Sequence, residues 1–187
     1  MAQALIPETQ RSSDALTMDR TELERELERL HAECWGWALS CVRRDRVLAE
    51  DVLQNAYLKV LSGRARFGGR ATIKRWLFGV IRLTAMEELR RVDRWRSSAE
   101  DAEVASAVDP APGADVTTER AERTAALVTA MAELSPRQRE VLQLVFYHEM
   151  TIEESAAVMG VSVGSARTHY ERGKKALAAQ IDGVDVR

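Results

Sequence analysis

Long apolar runs are missing from this sequence. No stretch approaches the roughly 18 apolar residues that a membrane-spanning helix needs, so no membrane insertion is expected. The opening MAQALIPETQRSS lacks a basic segment followed by an apolar core, so no secretory signal is expected and the cytoplasm is the expected location. Glycine (10) and proline (4) are scarce among 187 residues, and aromatics make up only 5%. Such a chain has too few turn formers for a many-stranded β protein and favours helices with short connections. Only two cysteines occur, Cys34 and Cys41, seven residues apart. On a helix that spacing means one face but about 10.5 Å of rise, beyond the roughly 7 Å that a disulfide spans between Cα atoms. With His31 they make an incomplete metal set, and small buried residues of a helix core are the favoured reading, so no metal is assigned. Three scattered histidines, no phosphate-cradling glycine loop and no nucleophile–base spacing give no support for an enzyme or a cofactor.

What is abundant is charge, unevenly spread. The formal net charge of −2 alone argues against a nucleic-acid partner. Yet residues 42–96 hold 14 basic and 6 acidic side chains, a local +8, whereas 97–120 hold 1 basic and 6 acidic, a local −5. The +8 block is the electrostatic footprint of a polyanion binder; a solvated basic surface is the plainer alternative. The −5 stretch is rich in Ala, Ser, Asp and Pro, cannot bury a core and reads as a flexible acidic linker. The expected organisation is all-α: a tail over 1–19, a helical domain over 20–96, the linker over 97–120, a second helical domain over 121–182 and a tail over 183–187.

In the first domain Leu23, Leu27, Leu30, Cys34, Trp37, Ala38 and Cys41 keep helical spacing, which predicts a helix over 20–43. AEDVLQNAYLKVL then sets Leu48, Val52, Ala56 and Val60 on one face and Leu58 on the other, among Asp51, Gln54 and Asn55. That leucine is either incidental exposure or a partner hot spot. SGRARFGGRAT is a basic, glycine-rich loop, and IKRWLFGVIRLTAMEELRR is a long helix. Its spacing predicts an inner stripe of Ile73, Trp76, Leu77, Val80 and Thr84. Arg75, Gly79, Arg82, Met86 and Arg90 form the outward row, where a phosphate backbone can lie close. Trp76 invites a base-stacking role, but its spacing favours the core.

The second domain opens on a capping box, Ser135-Pro136-Arg137-Gln138, and Thr151 to Glu154 repeats the device. Gly160 breaks the pattern, Ser162 caps again and a basic helix follows: the arrangement of a helix-turn-helix, which helical hairpins imitate. Val163, Ala166, Tyr170, Gly173 and Leu177 are expected inside, with Gly164, Thr168, Glu171, Arg172 and Lys175 outside, flanked by Ser165, Arg167 and Lys174. Glu171 either pairs with Lys175 or accepts a hydrogen bond from a base in the major groove.

AEDVLQNAYLKVL, WLFGVIRLTAMEELRR and LSPRQREVLQLVFYHEMTIEESAAVMGVSVGSARTHYERGKKAL, in that order, resemble the extracytoplasmic-function (ECF) sigma factors of bacterial RNA polymerase. The resemblance implies two domains, sigma region 2 and a region 4 helix-turn-helix, joined by the linker. It implies that Asp51, Gln54, Asn55 and Leu58 dock on core RNA polymerase. Arg64, Arg66, Arg70, Lys74, Arg75, Arg82, Met86, Arg90 and Arg91 would hold and open the −10 element of promoter DNA. Gly164, Ser165, Arg167, Thr168, His169, Glu171, Arg172, Lys174 and Lys175 would read the −35 element. An anti-sigma factor is a further expected partner. The chain departs from the family at Leu83 (often Asn), Glu87 (often Asp), Ser155 (commonly Ile) and Ala166 (usually Val), the last two predicting a less tightly filled helix-turn-helix core. A stand-alone helix-turn-helix regulator is the alternative reading.

Overall fold

A computed structural model of the chain describes residues 18–98 and 127–182. The linker expected over 97–120 therefore lies outside the described residues apart from its first two positions, as do most of the N-terminal tail and the tail over 183–187. The described residues are helical, with no strand among them.

Helix α1 (Arg20–Cys41) starts where the Asp19 carboxylate accepts from the Thr21 N–H at 2.6 Å. It ends two residues earlier than the spacing predicts, because Arg43 and Arg44 take left-handed backbone angles (φ 56° and 68°). Asp45 then caps α2 (Arg46–Leu61), accepting from the Leu48 N–H at 3.0 Å. Thr72 opens α3 (Ile73–Ser98), its hydroxyl accepting from the Arg75 N–H at 3.3 Å. These three helices pack mutually. Leu27, Leu30, Cys34 and Trp37 of α1 meet Val52, Leu53 and Ala56 of α2 and Leu77, Phe78 and Ile81 of α3. Trp37 fixes the α1–α3 register twice: its indole N–H donates to the Phe78 carbonyl at 3.0 Å, and the two rings stack at 5.5 Å.

The predicted inner stripe of α3 is too narrow. Leu77 and Thr84 are buried as expected, but so are Phe78, Ile81, Ala85 and Arg82, whereas Ile73, Trp76 and Val80 are half-buried. The cause is a second neighbour. Besides α1 and α2, α3 packs against a helix of the C-terminal group, so its covered arc extends into the row expected to face outward.

That group begins with a helical stretch over 127–133 (α4); Arg139 donates to the Met131 carbonyl in its last turn at 2.8 Å and to that of Leu134, just beyond it, at 3.0 Å. Helix α5 (Pro136–Phe146) starts with proline in its first turn and with the Ser135 N–H donating to Gln138 Oε1 at 3.2 Å. Helix α6 (Ile152–Met159) carries a reciprocal cap: Glu154 N–H donates to Thr151 Oγ1 at 3.1 Å and Thr151 N–H to Glu154 Oε2 at 3.0 Å. Gly160, at φ 64° and ψ 40°, makes the left-handed turn that ends α6. Helix α7 (Val163–Asp182) crosses α5 at Gly173, where a Cβ would lie 3.1 Å from a Leu142 methyl carbon and 3.2 Å from Gln138 Cβ.

The N-terminal and C-terminal groups are packed together. One continuous cluster of buried apolar residues runs from Leu27 through Trp37 and Phe78 to Leu144, Met150 and Met159. Beside it lies a cavity of about 250 Å³ lined by Cys41, Arg82, Met86, Pro136 and Glu140 among others. No helix among the described residues is long and apolar enough to cross a membrane.

Candidate nucleic-acid interface

The outward face of α7 is built by its cap and its spacing. Ser162 Oγ accepts from the Ser165 N–H at 3.1 Å, holding the first turn open to solvent. Gly164, Ser165, Arg167, Thr168, Glu171, Arg172, Lys174 and Lys175 are exposed, and His169 is half-buried. Behind them Ala166 and Gly173 are buried, and Tyr170 and Leu177 half-buried. Val163, expected inside, is 38% exposed, because it lies in the first turn ahead of the covered stretch that begins at Ala166. Two side chains are oriented from within the protein. Thr168 donates its hydroxyl to the Gly164 carbonyl at 3.0 Å, leaving the oxygen free to accept. The Lys174 ammonium sits over the Tyr170 ring, 5.3 Å from its centre. Among the described residues no ion pair joins Glu171 to Lys175; the acidic contact on this face is Glu153 to Arg167 at 3.7 Å, both well exposed.

The second basic surface is the loop between α2 and α3 with the start of α3. Arg64, Arg66 and Arg70 are exposed. The loop closes on itself: Arg66 donates to the Gly63 carbonyl at 3.2 Å, Arg75 to the Arg70 carbonyl at 3.3 Å, and Phe67 packs on Trp76 at 5.4 Å. Trp76 is thus a half-buried prop for the loop at the core margin. Farther along, Arg90 and Arg91 are exposed, Arg91 pairing with Glu88 at 2.8 Å.

Not every residue of the expected outward row joins this surface. Arg82 is buried and ion-paired to Glu140 of α5, with side-chain exposures of 9% and 15%. Helical spacing placed it outside because nothing local announces the α5 carboxylate. Lys74 is half-buried, pairing with Glu33 and donating to the His148 carbonyl at 3.2 Å. Arg75 lies 3.9 Å from Glu154, and Met86 borders the cavity.

On α2, Asp51 and Gln54 are exposed and Leu58 is 52% exposed among them. Asn55 is turned inward, donating to Glu88 Oε1 at 3.0 Å. Sequence reasoning overlooked His148, which sits 2% exposed where the two helix groups meet. Neither ring nitrogen has a hydrogen-bond partner among the described residues. The cysteines are chemically quiet. Burial pushes the Cys34 thiol up to about 12 and pushes Cys41 up as well.

Comparison with known proteins agrees with this geometry. The family description "Sigma-70 region 2" matches residues 27–96, and "Sigma-70, region 4" matches 124–177. The RNA polymerase sigma factor CarQ of Myxococcus xanthus is 32% identical over 137 residues, covering 72% of this chain and 75% of that protein. The ECF RNA polymerase sigma factor SigC of Mycobacterium tuberculosis is 25% identical over 150 residues, 80% of this chain and 79% of that one. Among solved structures, the sigma factor RpoE in complex with the anti-sigma factor NepR, from Bartonella quintana, superposes with a TM-score of 0.70 at 21% identity, covering 87% of this chain and 98% of that one. With a basic loop and long helix at one end and a capped recognition helix at the other, the chain belongs to the ECF sigma factors of bacterial RNA polymerase, alternative sigma factors that direct transcription initiation.

Proposed function

We propose that three surfaces divide the work of initiation in this chain. Asp51, Gln54 and Leu58 dock on core polymerase; Arg64, Arg66, Arg70, Arg75, Met86, Arg90 and Arg91 hold the −10 element, while Asn55, Lys74 and Arg82 are engaged within the protein. Gly164, Ser165, Arg167, Thr168, His169, Glu171, Arg172, Lys174 and Lys175 read the −35 element. The observation that carries this reading is the exposed polar face of α7, whose arginines, lysines, hydroxyls and lone carboxylate suit base edges and phosphates. The +8 charge of 42–96 supports the second surface, since phosphate neutralisation favours binding through counterion release. The chain has no catalytic task in this reading: it positions DNA while the polymerase does the chemistry. The polymerase places it in the cytoplasm. A protein antagonist fits the same reading, because the neighbours RpoE and CnrH were each solved with a partner, NepR and the cytosolic domain of CnrY.

The test is transcription with purified core polymerase from a promoter library randomised at both elements. Recovery of a shared pair of elements, dependent on this chain and on core enzyme together, is the expected result. Tight, specific duplex binding by the chain alone would instead identify a stand-alone regulator.

A further inference from the structure

We propose that the cavity beside the core is a binding site for a compact organic anion, a carboxylate or phosphate head on a small apolar body. Its walls are sorted by chemistry. Trp37 of α1 and Ala85, Met86 and Leu89 of α3 supply an apolar side. Arg43, Arg82, Arg137 and Arg139 bring four positive charges to the lining, against the single carboxylate of Glu140. At about 250 Å³ the space lies just below the range of drug-sized ligand pockets, so it suits one ring or a short branched chain.

The charges in the lining do not balance. Glu140 is already shared, since Arg82 and Arg137 both pair with it, Arg137 at 3.0 Å. Arg139 gives its donors to backbone, at 2.8 Å to the Met131 carbonyl and 3.0 Å to that of Leu134, and a carbonyl cancels no charge. Arg43 is exposed and has no acceptor among the described residues. Burial, and then the like charge of Arg43, hold Arg139 below the ordinary guanidinium value. The first turn of α5, with Pro136 and Arg137 on the cavity wall, adds the positive end of its dipole. An oxyanion placed between Arg43 and Arg139 would relieve their repulsion through charge-assisted hydrogen bonds, which strengthen as water is excluded. An inorganic anion would leave the apolar side wet, so the ligand carries an apolar body. Arg43, Arg137 and Arg139 belong to none of the surfaces assigned above to promoter DNA or core polymerase.

The full chain is titrated separately with phenyl phosphate, benzoate, phenol and inorganic phosphate while its amide and indole resonances are followed by NMR. Phenyl phosphate or benzoate should saturate one site, with the largest shifts at the Trp37 indole and the Cys41 and Arg43 amides, and the tighter of the two identifies the head group. Phenol and inorganic phosphate each match half of the site and should bind at least about tenfold more weakly. Arg43→Asn removes one cation but keeps a residue that tolerates the left-handed backbone there, φ 56°. It should weaken the tighter probe at least about tenfold and leave the melting temperature nearly unchanged. Ala85→Leu, which fills the apolar side, should abolish saturation. Shifts centred on α7 or on the loop between α2 and α3, with Arg43→Asn binding as tightly as the unaltered chain, would overturn the site, because the probe then reads only the DNA-facing charges. Inorganic phosphate binding as tightly as phenyl phosphate, or saturation by neither organic anion, would overturn it as well.

Discussion

His148 meets Phe78 edge to face, with ring centres 4.6 Å apart and planes at 87°, a contact that carries the loop between α5 and α6 into the middle of α3. Trp37 and Tyr147 approach the same imidazole edge-on at 5.8 Å and 4.8 Å. Burial pushes the imidazole down to about 4; Lys74 on α3 pushes the same way, and Glu33 on α1 opposes.

A pH dependence with a definite sign follows from that pocket. The unfolded chain carries an ordinary imidazole, near 6.5, so between about 6.5 and about 4 it binds more protons than the folded chain. The contribution is complete above about 6.5 and is lost as pH falls toward about 4. Melting temperature should therefore drop over that window, and His148→Phe should flatten the drop. Equal slopes for the two proteins would remove His148 as the cause.

Leu58 projects from α2 among polar neighbours at 52% exposure, so truncating it removes little buried surface. Leu58→Ala should weaken core polymerase binding by about 2 kcal/mol, a hot-spot magnitude, and leave the melting temperature nearly unchanged. Titration of labelled chain with core enzyme, beside a thermal melt, measures both. A lowered melting temperature with intact affinity would assign Leu58 to the fold.

Gly160 sits at φ 64° with nothing within 4 Å of where a Cβ would stand, so a side chain there meets strain and no crowding. Gly160→Ala should cost about 1 kcal/mol, the penalty of a left-handed L-residue. Denaturant midpoints measure it. An unchanged midpoint would mean that the turn relaxes freely.

Glu171 is exposed on α7, and the partner expected at Lys175 is not engaged, which favours the base-reading role over the local pair. Glu171→Ala should relax discrimination at one −35 position by about 1–3 kcal/mol. Transcription from a panel of single-base −35 variants decides the matter, and an unaltered ranking would defeat the assignment.

Much of this fold is legible in short-range pattern. Ser135, Ser162 and the Thr151–Glu154 cap mark helix starts, and the apolar spacing from Leu27 to Ala38 marks the buried face of α1. Ser155 and Ala166 are both fully buried, and the Ser155 hydroxyl has no partner among the described residues, at a position where the family resemblance implies an apolar side chain. What the pattern does not carry is the second neighbour of α3. Helical periodicity reports how many faces a helix covers only when the covering residues are apolar. Arg82 and Lys74 are covered by charge and by a carbonyl, so they look like surface. His148 lies in a connection without periodicity, and besides the adjacent Tyr147 its ring partners, Trp37 and Phe78, are far away in sequence.

A core that runs through both helix groups ties their inheritance together. Exchanging the C-terminal group for that of a relative would bring a new recognition helix, but it would also replace Glu140, Gln143, His148 and Met150, which complete the surroundings of Arg82, Ser40, Phe78 and Trp37. Such a chimaera would carry two well-folded halves and a mismatched joint. On the proposed role of α7, promoter preference is therefore not a freestanding cassette: recombination that exchanges the C-terminal group must also re-match α3, whereas substitution of only the exposed positions of α7 leaves the joint untouched.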